Sequence, residues 1–237
     1  MKVTIKNSLI RFLGQFTSPP DIDEPVYRFV TYHRISPDQA TSFRKQVDRI
    51  QNNFNVVSPR QYKNSEGSTE TLNVLFTFDD GYLSWENTVL PVLNERDIKG
   101  LFFVCPDFVG LNEDEARNYS EQFLNMSPSN PLTEEGIKTI IKSDHTVGNH
   151  LLEHRDLRDT PPGDQIRNIM EQSQTSFEEH FEITPEWLAY PFADYFTHPE
   201  RLTRVTGEYF DYAVTLIPGW NTPSTNPLFL TRVNSGG

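Results

Sequence analysis

Apolar runs of strand length alternate with amphipathic stretches of helix length along most of this chain. The runs fall at Val26–Tyr32, Phe54–Val57, Leu72–Phe78, Leu101–Val104, His145–Val147, Trp187–Tyr190, Tyr212–Leu216 and Leu228–Val233. Between them, Asp38–Asn53 carries Phe43, Val47 and Ile50 at helical spacing, and Thr133-Glu134-Glu135 opens a second such stretch with Ile137, Ile140 and Ile141. A third, Gly163–His180, carries Ile166, Ile169, Met170 and Phe177. Strands that alternate with helices predict parallel βαβ units, because a parallel neighbour needs a crossover long enough to hold a helix. About eight such strands predict an α/β barrel, with an open doubly wound sheet as the alternative. No glycine-rich phosphate loop is present, since Gly207 and Gly219 lack the spacing, which counts against a nucleotide fold.

A length of 237 residues fits one domain over 26–237, preceded by an extension over 1–25 whose Ser18-Pro19-Pro20-Asp21 is linker chemistry. Residues 111–131 read as an insertion after a strand, placed on the catalytic rim if the fold is a barrel. The formal net charge of −12 argues against nucleic acid and anionic membrane as partners. Cys105 is the one cysteine, so a thiolate zinc site and an intrachain disulfide are excluded, and its apolar neighbours make it a core residue. No stretch approaches a membrane span, and Arg11 interrupts the N-terminal apolar segment before a signal peptide can form. A cytoplasmic location is expected.

Two motifs carry chemistry. Asp79-Asp80-Gly81-Tyr82 follows the apolar run Val74–Phe78, and Gly148-Asn149-His150 is followed by His154 four residues after His150. Adjacent carboxylates ionise together cheaply only when a cation or separate hydrogen-bond partners hold them apart. A divalent ion held by Asp80, His150 and His154 meets that need and leaves Asp79 free as a base. The competing reading is a solvated Asp-Asp-Gly turn beside unrelated histidines. Glu153 is not in a His-Glu-x-x-His position, so a zincin is not indicated. His145, just before a short strand, reads as structural.

Thr77-Phe78-Asp79-Asp80-Gly81 together with His150-x-x-x-His154 resembles the polysaccharide deacetylases, the NodB-homology or carbohydrate esterase family 4 enzymes. Leu90-Pro91-Val92-Leu93 and Leu101-Phe102-Phe103-Val104 stand in the expected order, and Ala189-Tyr190-Pro191-Phe192 looks like the third family motif. The resemblance implies a distorted, TIM-like (β/α) barrel of seven to eight parallel strands. It implies one divalent ion on Asp80, His150 and His154, zinc first, with iron, cobalt or nickel as alternatives. It further implies Asp79 as general base, the Phe192 backbone N–H as an oxyanion donor, and an N-acetylated carbohydrate as substrate.

Three departures stand out. Leu151 replaces the usual Ser or Thr, Ala189 replaces an Arg that orients the base, and the C-terminal Leu-x-His is missing. Thr31-Tyr32-His33-Arg34 looks like the Tyr-His of a circularly rearranged branch, which implies His33 as general acid. Arg232, near the end of the last strand, is either a substitute for the missing Arg, bracing Asp79, or a surface residue. Tyr82, Tyr190 and Trp220 are candidates for a sugar-stacking surface, with Asp194 on the same rim. A catalytically silent carbohydrate-binding relative and an O-acetyl esterase using the same site are the alternative functions.

Overall fold

The computed structural model describes residues 23–160 and 163–235. The extension over 1–25 therefore lies almost wholly outside the described residues. In chain order the elements are β1 (Tyr27–Tyr32), α1 (Ala40–Gln51), β2 (Asn55–Val56), α2 (Pro59–Lys63), β3 (Asn73–Phe78), α3 (Leu90–Asn94) and β4 (Leu101–Val104). There follow α4 (Glu113–Tyr119), α5 (Glu134–Lys142), β5 (Thr146–Asn149), α6 (Asp164–Phe181), β6 (Trp187–Ala189), α7 (Pro199–Thr206), β7 (Tyr212–Val214) and β8 (Arg232–Asn234). A π-helical turn, Trp85–Val89, runs into α3, where Pro91 supplies no N–H for a regular ladder.

The strands follow the order β7-β6-β5-β4-β3-β1-β8, all parallel, with β2 added at the start of β3. Leu230, just before β8, bridges Val214 of β7 in parallel, so the sheet curls into a nearly closed barrel of seven strands with helices outside. This is the distorted NodB-type (β/α) barrel that the motifs imply. The apolar run 228–233 divides between two tasks. Its first half lies against β7, and only Arg232–Asn234 pairs with β1.

Side chains along a strand alternate between faces. On β1, Tyr27 and Phe29 enter the barrel interior with Leu75, Leu101, Phe103, Trp187 and Ala189. Val30 and Tyr32 join Val74, Phe76 and Phe78 in the outer layer, packed on helices such as α1 through Phe43, Val47 and Ile50. Tyr62 of α2 floors the barrel, its ring edge-on at 4.9 Å to both Tyr27 and Phe29. The same alternation carries Thr77 and then Asp79 inward above Leu75, and the Thr31 and Thr77 hydroxyls meet at 3.0 Å.

His145 is structural, as its position indicates. Its Nδ1 accepts from the Gly100 N–H at 3.0 Å, and Nε2 donates to Asn94 at 3.1 Å. That pairing needs the neutral ring, and burial pushes the pKa down to about 4 from 6.5, with the Lys99 charge adding to the shift. Between those pH values the unfolded chain binds a proton at this ring that the folded chain does not, so the His145 contribution to stability falls as acid is added and levels off below about pH 4. We expect His145→Gln to flatten the urea-unfolding stability profile across this window by up to about 1.4 kcal/mol per pH unit. Parallel profiles for the two proteins would refute it.

Candidate metal centre

Each motif loop continues the hydrogen-bond ladder beyond its strand. The Asp79 N–H donates to Tyr32 O, Cys105 N–H to Asp80 O, and His150 N–H to Val104 O, all within 3.1 Å. Asp79, Asp80, His150 and His154 therefore gather at the carboxyl ends of β3 and β5, the end where parallel barrels carry their chemistry. All four are buried, none more than 7% exposed. Gly148 is required beneath them, since a Cβ there would stand 2.5 Å from a Phe103 ring carbon and 3.2 Å from Trp187 O.

The backbone turns sharply where these side chains converge. Among the described residues, five of the ten non-glycine positions with positive φ lie in this site: Asp80 (87°), Leu151 (63°), Glu153 (53°), His154 (44°) and Phe192 (54°). Non-glycine residues hold such angles only when surrounding contacts fix them, and they concentrate at functional sites. Here the contacts are visible. The Leu151 N–H donates to Asn149 Oδ1 at 2.7 Å, and Ser173 of α6 donates to the same oxygen. The Leu151 side chain is wholly buried in the apolar cluster beneath α6 and α7. The turn at Leu151 is thus held by Asn149 and by burial of its side chain.

Asp107, which no motif marks, holds the next turn. Its Oδ2 accepts the Glu153 N–H at 2.9 Å and its Oδ1 accepts the Tyr119 hydroxyl at 3.0 Å. Nothing local flags this residue; its partners lie 12 and 46 positions away. Because it fixes the backbone immediately before His154, Asp107→Ala should weaken zinc binding roughly tenfold, the lower end for outer-shell losses. Titration with a competing chelator reads this, and an unchanged affinity would show that the turn holds without it.

The donor atoms form a small triangle. His150 Nε2 and His154 Nε2 are 3.2 Å apart, and each lies 3.4–3.5 Å from Asp80 Oδ1. Ligands of one tetrahedral zinc, with bonds near 2.05 Å, stand about 3.3 Å apart, so one ion fits without rearrangement. The ring tautomers are set from behind. His150 Nδ1–H donates to Ala189 O at 2.8 Å and His154 Nδ1–H to Phe123 O at 3.2 Å, leaving both Nε2 lone pairs aimed at one point. Two lone pairs and a carboxylate oxygen at these separations need a proton or a cation between them. Burial, and then the neighbouring His150, push the His154 pKa down to about 4, favouring the neutral ring a metal requires.

Asp79 stays outside the triangle, its Oδ2 4.0 Å from His150 Nε2. Arg232, fully buried, grips it with two parallel bonds, Nη1 to Oδ1 at 2.7 Å and Nη2 to Oδ2 at 2.8 Å. Arg232 Nε donates to Thr215 O at 2.9 Å, and Nη1 also reaches the Thr77 hydroxyl at 3.3 Å. Burial alone would raise the Asp79 pKa, but the Arg232 charge, followed by those of His150 and His33, brings it below the usual carboxylate value. Asp79 is held ionised and in one orientation. Arg232 is thus a buried residue bracing Asp79 and not a surface arginine, and Ala189 lines the same interior.

His33 follows β1, half-buried, and its charge acts on both Asp79 and Asp80. The Trp85 indole donates to its carbonyl at 3.1 Å. Phe192 packs its ring edge-on at 4.5 Å from the His154 ring.

The expected stacking surface does not form. Tyr82 is 1% exposed and packs on Phe108, with its phenol against the Asp80 charge. Tyr190 is fully buried, its hydroxyl 2.9 Å from Thr206 Oγ1 and 3.1 Å from Leu228 O. Trp220 precedes Asn221, which pairs with Tyr27 at the opposite end of the barrel, and it stacks 3.7 Å over the Arg28 guanidinium there. Each ring is consumed by packing. Asp194 does lie exposed on the rim, paired with Arg158 at 2.8 Å.

The sequence pattern described as "Polysaccharide deacetylase" matches residues 66–207, more than half of the chain. The chain belongs to the polysaccharide deacetylase family. It is 25% identical over 146 residues to YxkH of Bacillus subtilis (strain 168), which is assigned to the same family; the match covers 62% of this chain and 45% of YxkH. The chain thus spans less than half the length of that relative. Among solved structures, IcaB from Ammonifex degensii superposes with a TM-score of 0.72 at 23% identity, covering 90% of this chain and 92% of IcaB. The Streptococcus pyogenes deacetylase PplD, solved in complex with acetate, gives 0.66 at 19% identity, covering 92% and 93%. At these identities the superpositions establish a shared fold.

Proposed function

We propose that this chain is a metal-dependent carbohydrate N-deacetylase, removing acetyl groups from an amino sugar within a poly- or oligosaccharide or glycan precursor. The observation that carries this reading is the division of labour between the two aspartates. Asp80 closes the triangle with His150 and His154, while Asp79 is withheld from it and clamped by Arg232. Family membership supplies the substrate class, and the acetate named with PplD fits the product.

Asp80, His150 and His154 would hold one divalent cation, and zinc, iron, cobalt and nickel all suit two imidazoles and a carboxylate. When bound, it supplies a Lewis acid that polarises the amide carbonyl and acidifies water. Asp79 accepts the water proton. Each of its oxygens gives one lone pair to the Arg232 fork and keeps another for this task. The Phe192 N–H stabilises the negative oxygen that develops on the carbonyl. His33, just after β1, delivers a proton to the departing nitrogen, because an amine leaves far more readily than its anion.

The test is acetate release from an N-acetylglucosamine oligomer, after stripping with a chelator and reloading with each of the four metals. Release that stops on stripping and returns on reloading is expected. Metal bound at the three ligands without any release would favour a silent carbohydrate-binding relative. Release only from O-acetylated substrates would favour the esterase.

A further inference from the structure

Three large apolar side chains are strongly exposed among the described residues, and Tyr195, at 47%, is the most exposed. An exposed tyrosine by itself needs no explanation. This one is held in place. Its hydroxyl donates to Asp159 at 2.8 Å, and its ring centroid lies 5.0 Å from the Arg158 guanidinium. Arg158 is fixed in turn by Asp156 and Asp194, each at 2.8 Å, and its carbonyl accepts the Thr197 N–H. The same guanidinium lies 5.5 Å from the Phe192 ring centroid, and Phe192 packs on the metal-site residue His154. A single row of contacts therefore runs from the proposed metal site to an immobilised aromatic ring that leaves nearly half its surface in water.

A pyranose presents apolar C–H groups on its faces and hydroxyls around its edge. An aromatic ring with its phenol tied down and flanked by carboxylates complements both features. Because the ring is already fixed, little side-chain freedom is lost on binding. We propose that Tyr195 is the stacking platform for the sugar residue adjacent to the one that loses its acetyl group, with Asp156 and Asp194 facing its hydroxyls. This inference rests on the carbohydrate-deacetylase reading of the site. It supplies the aromatic surface that Tyr82, Tyr190 and Trp220 do not.

The experiment compares zinc-loaded wild type, Tyr195→Ala, Tyr195→Phe and Tyr195→Trp. Calorimetry reads the dissociation constant for a pentamer of β-linked N-acetylglucosamine, and kinetics reads kcat/KM for the pentamer against that for an aryl acetate ester. Tyr195→Ala should raise the dissociation constant about tenfold and lower the pentamer-to-ester ratio by a similar factor, while Phe and Trp retain most of both. Equal pentamer binding in wild type and Tyr195→Ala overturns the platform. So does a fall in which pentamer and ester drop together, which would mark a general effect on the site. A wild type that binds the pentamer through Tyr195 but releases no acetate keeps the ring as a sugar-binding surface and removes the deacetylase reading. One that deacetylates equally well with and without the ring does the reverse.

Discussion

Arg232→Met is expected to cost about 3–5 kcal/mol of stability, because it leaves the Asp79 carboxylate buried without its counter-charge. The pair is almost dry, with Arg232 fully buried and Asp79 1% exposed, so water cannot replace the lost bonds. Turnover should fall by about 100-fold, the scale of a misplaced catalytic group. The two losses have different origins and are separable. In the double variant Asp79→Leu/Arg232→Met, both charges give way to apolar groups, and a buried ion pair replaced in this way often leaves stability unchanged. The double variant should therefore recover most of the lost stability and have no turnover. If Arg232→Met alone unfolds no more readily in urea than wild type, the guanidinium is not carrying the charge of Asp79. Lysine should not rescue, since a single ammonium cannot reproduce the two parallel bonds at 2.7 and 2.8 Å.

His33→Ala is expected to lower turnover of N-acetyl substrates by roughly 10²–10⁴, the usual contribution of a general acid. Bound metal should be unchanged, because His33 is not among the three converging ligands. The decisive comparison is with an aryl acetate. Its leaving group departs without a proton, so the variant should lose far less activity there. An equal loss on amide and ester would remove His33 from proton delivery and make it a residue that shapes the two aspartates through its charge. Stability should change little, as the contact from Trp85 goes to the His33 backbone carbonyl and survives the substitution.

Much of the frame is readable along the chain. The run Leu101–Val104 is β4 to the residue, and α1 and α6 begin and end within two residues of the periodic stretches that announce them. Local patterns carry this information because burial on one face of an element imposes the period of that element. Errors fall where one segment serves two neighbours or where the local signal is short. The run 228–233 becomes a bridge to β7 followed by a three-residue β8. The insertion over 111–131 contains α4, whose start is marked by a capping box between Asn112 and Glu115. Helix α7, opened by Pro199, buries a narrow face that a mostly polar sequence does not advertise.

At the site, the three proposed metal ligands and the spare Asp79 follow from two short motifs, since adjacency and four-residue spacing are properties of the chain. What lies around them is different in kind. Asp107 under the Glu153 turn, the fate of each aromatic ring and the exposure of Tyr195 all depend on depth within the barrel. Tyr190 and Tyr195 are five positions apart, yet one is sealed against Thr206 and the other is open to solvent. The sequence by itself determined the alternation of strands and helices, the family motifs and which residues are the candidate ligands. Only the tertiary structure decided that Arg232, 153 residues from Asp79, would clasp it. That contact exists because β8 pairs with β1 when the barrel curls shut, bringing two inward-facing charges together in a place from which water is excluded.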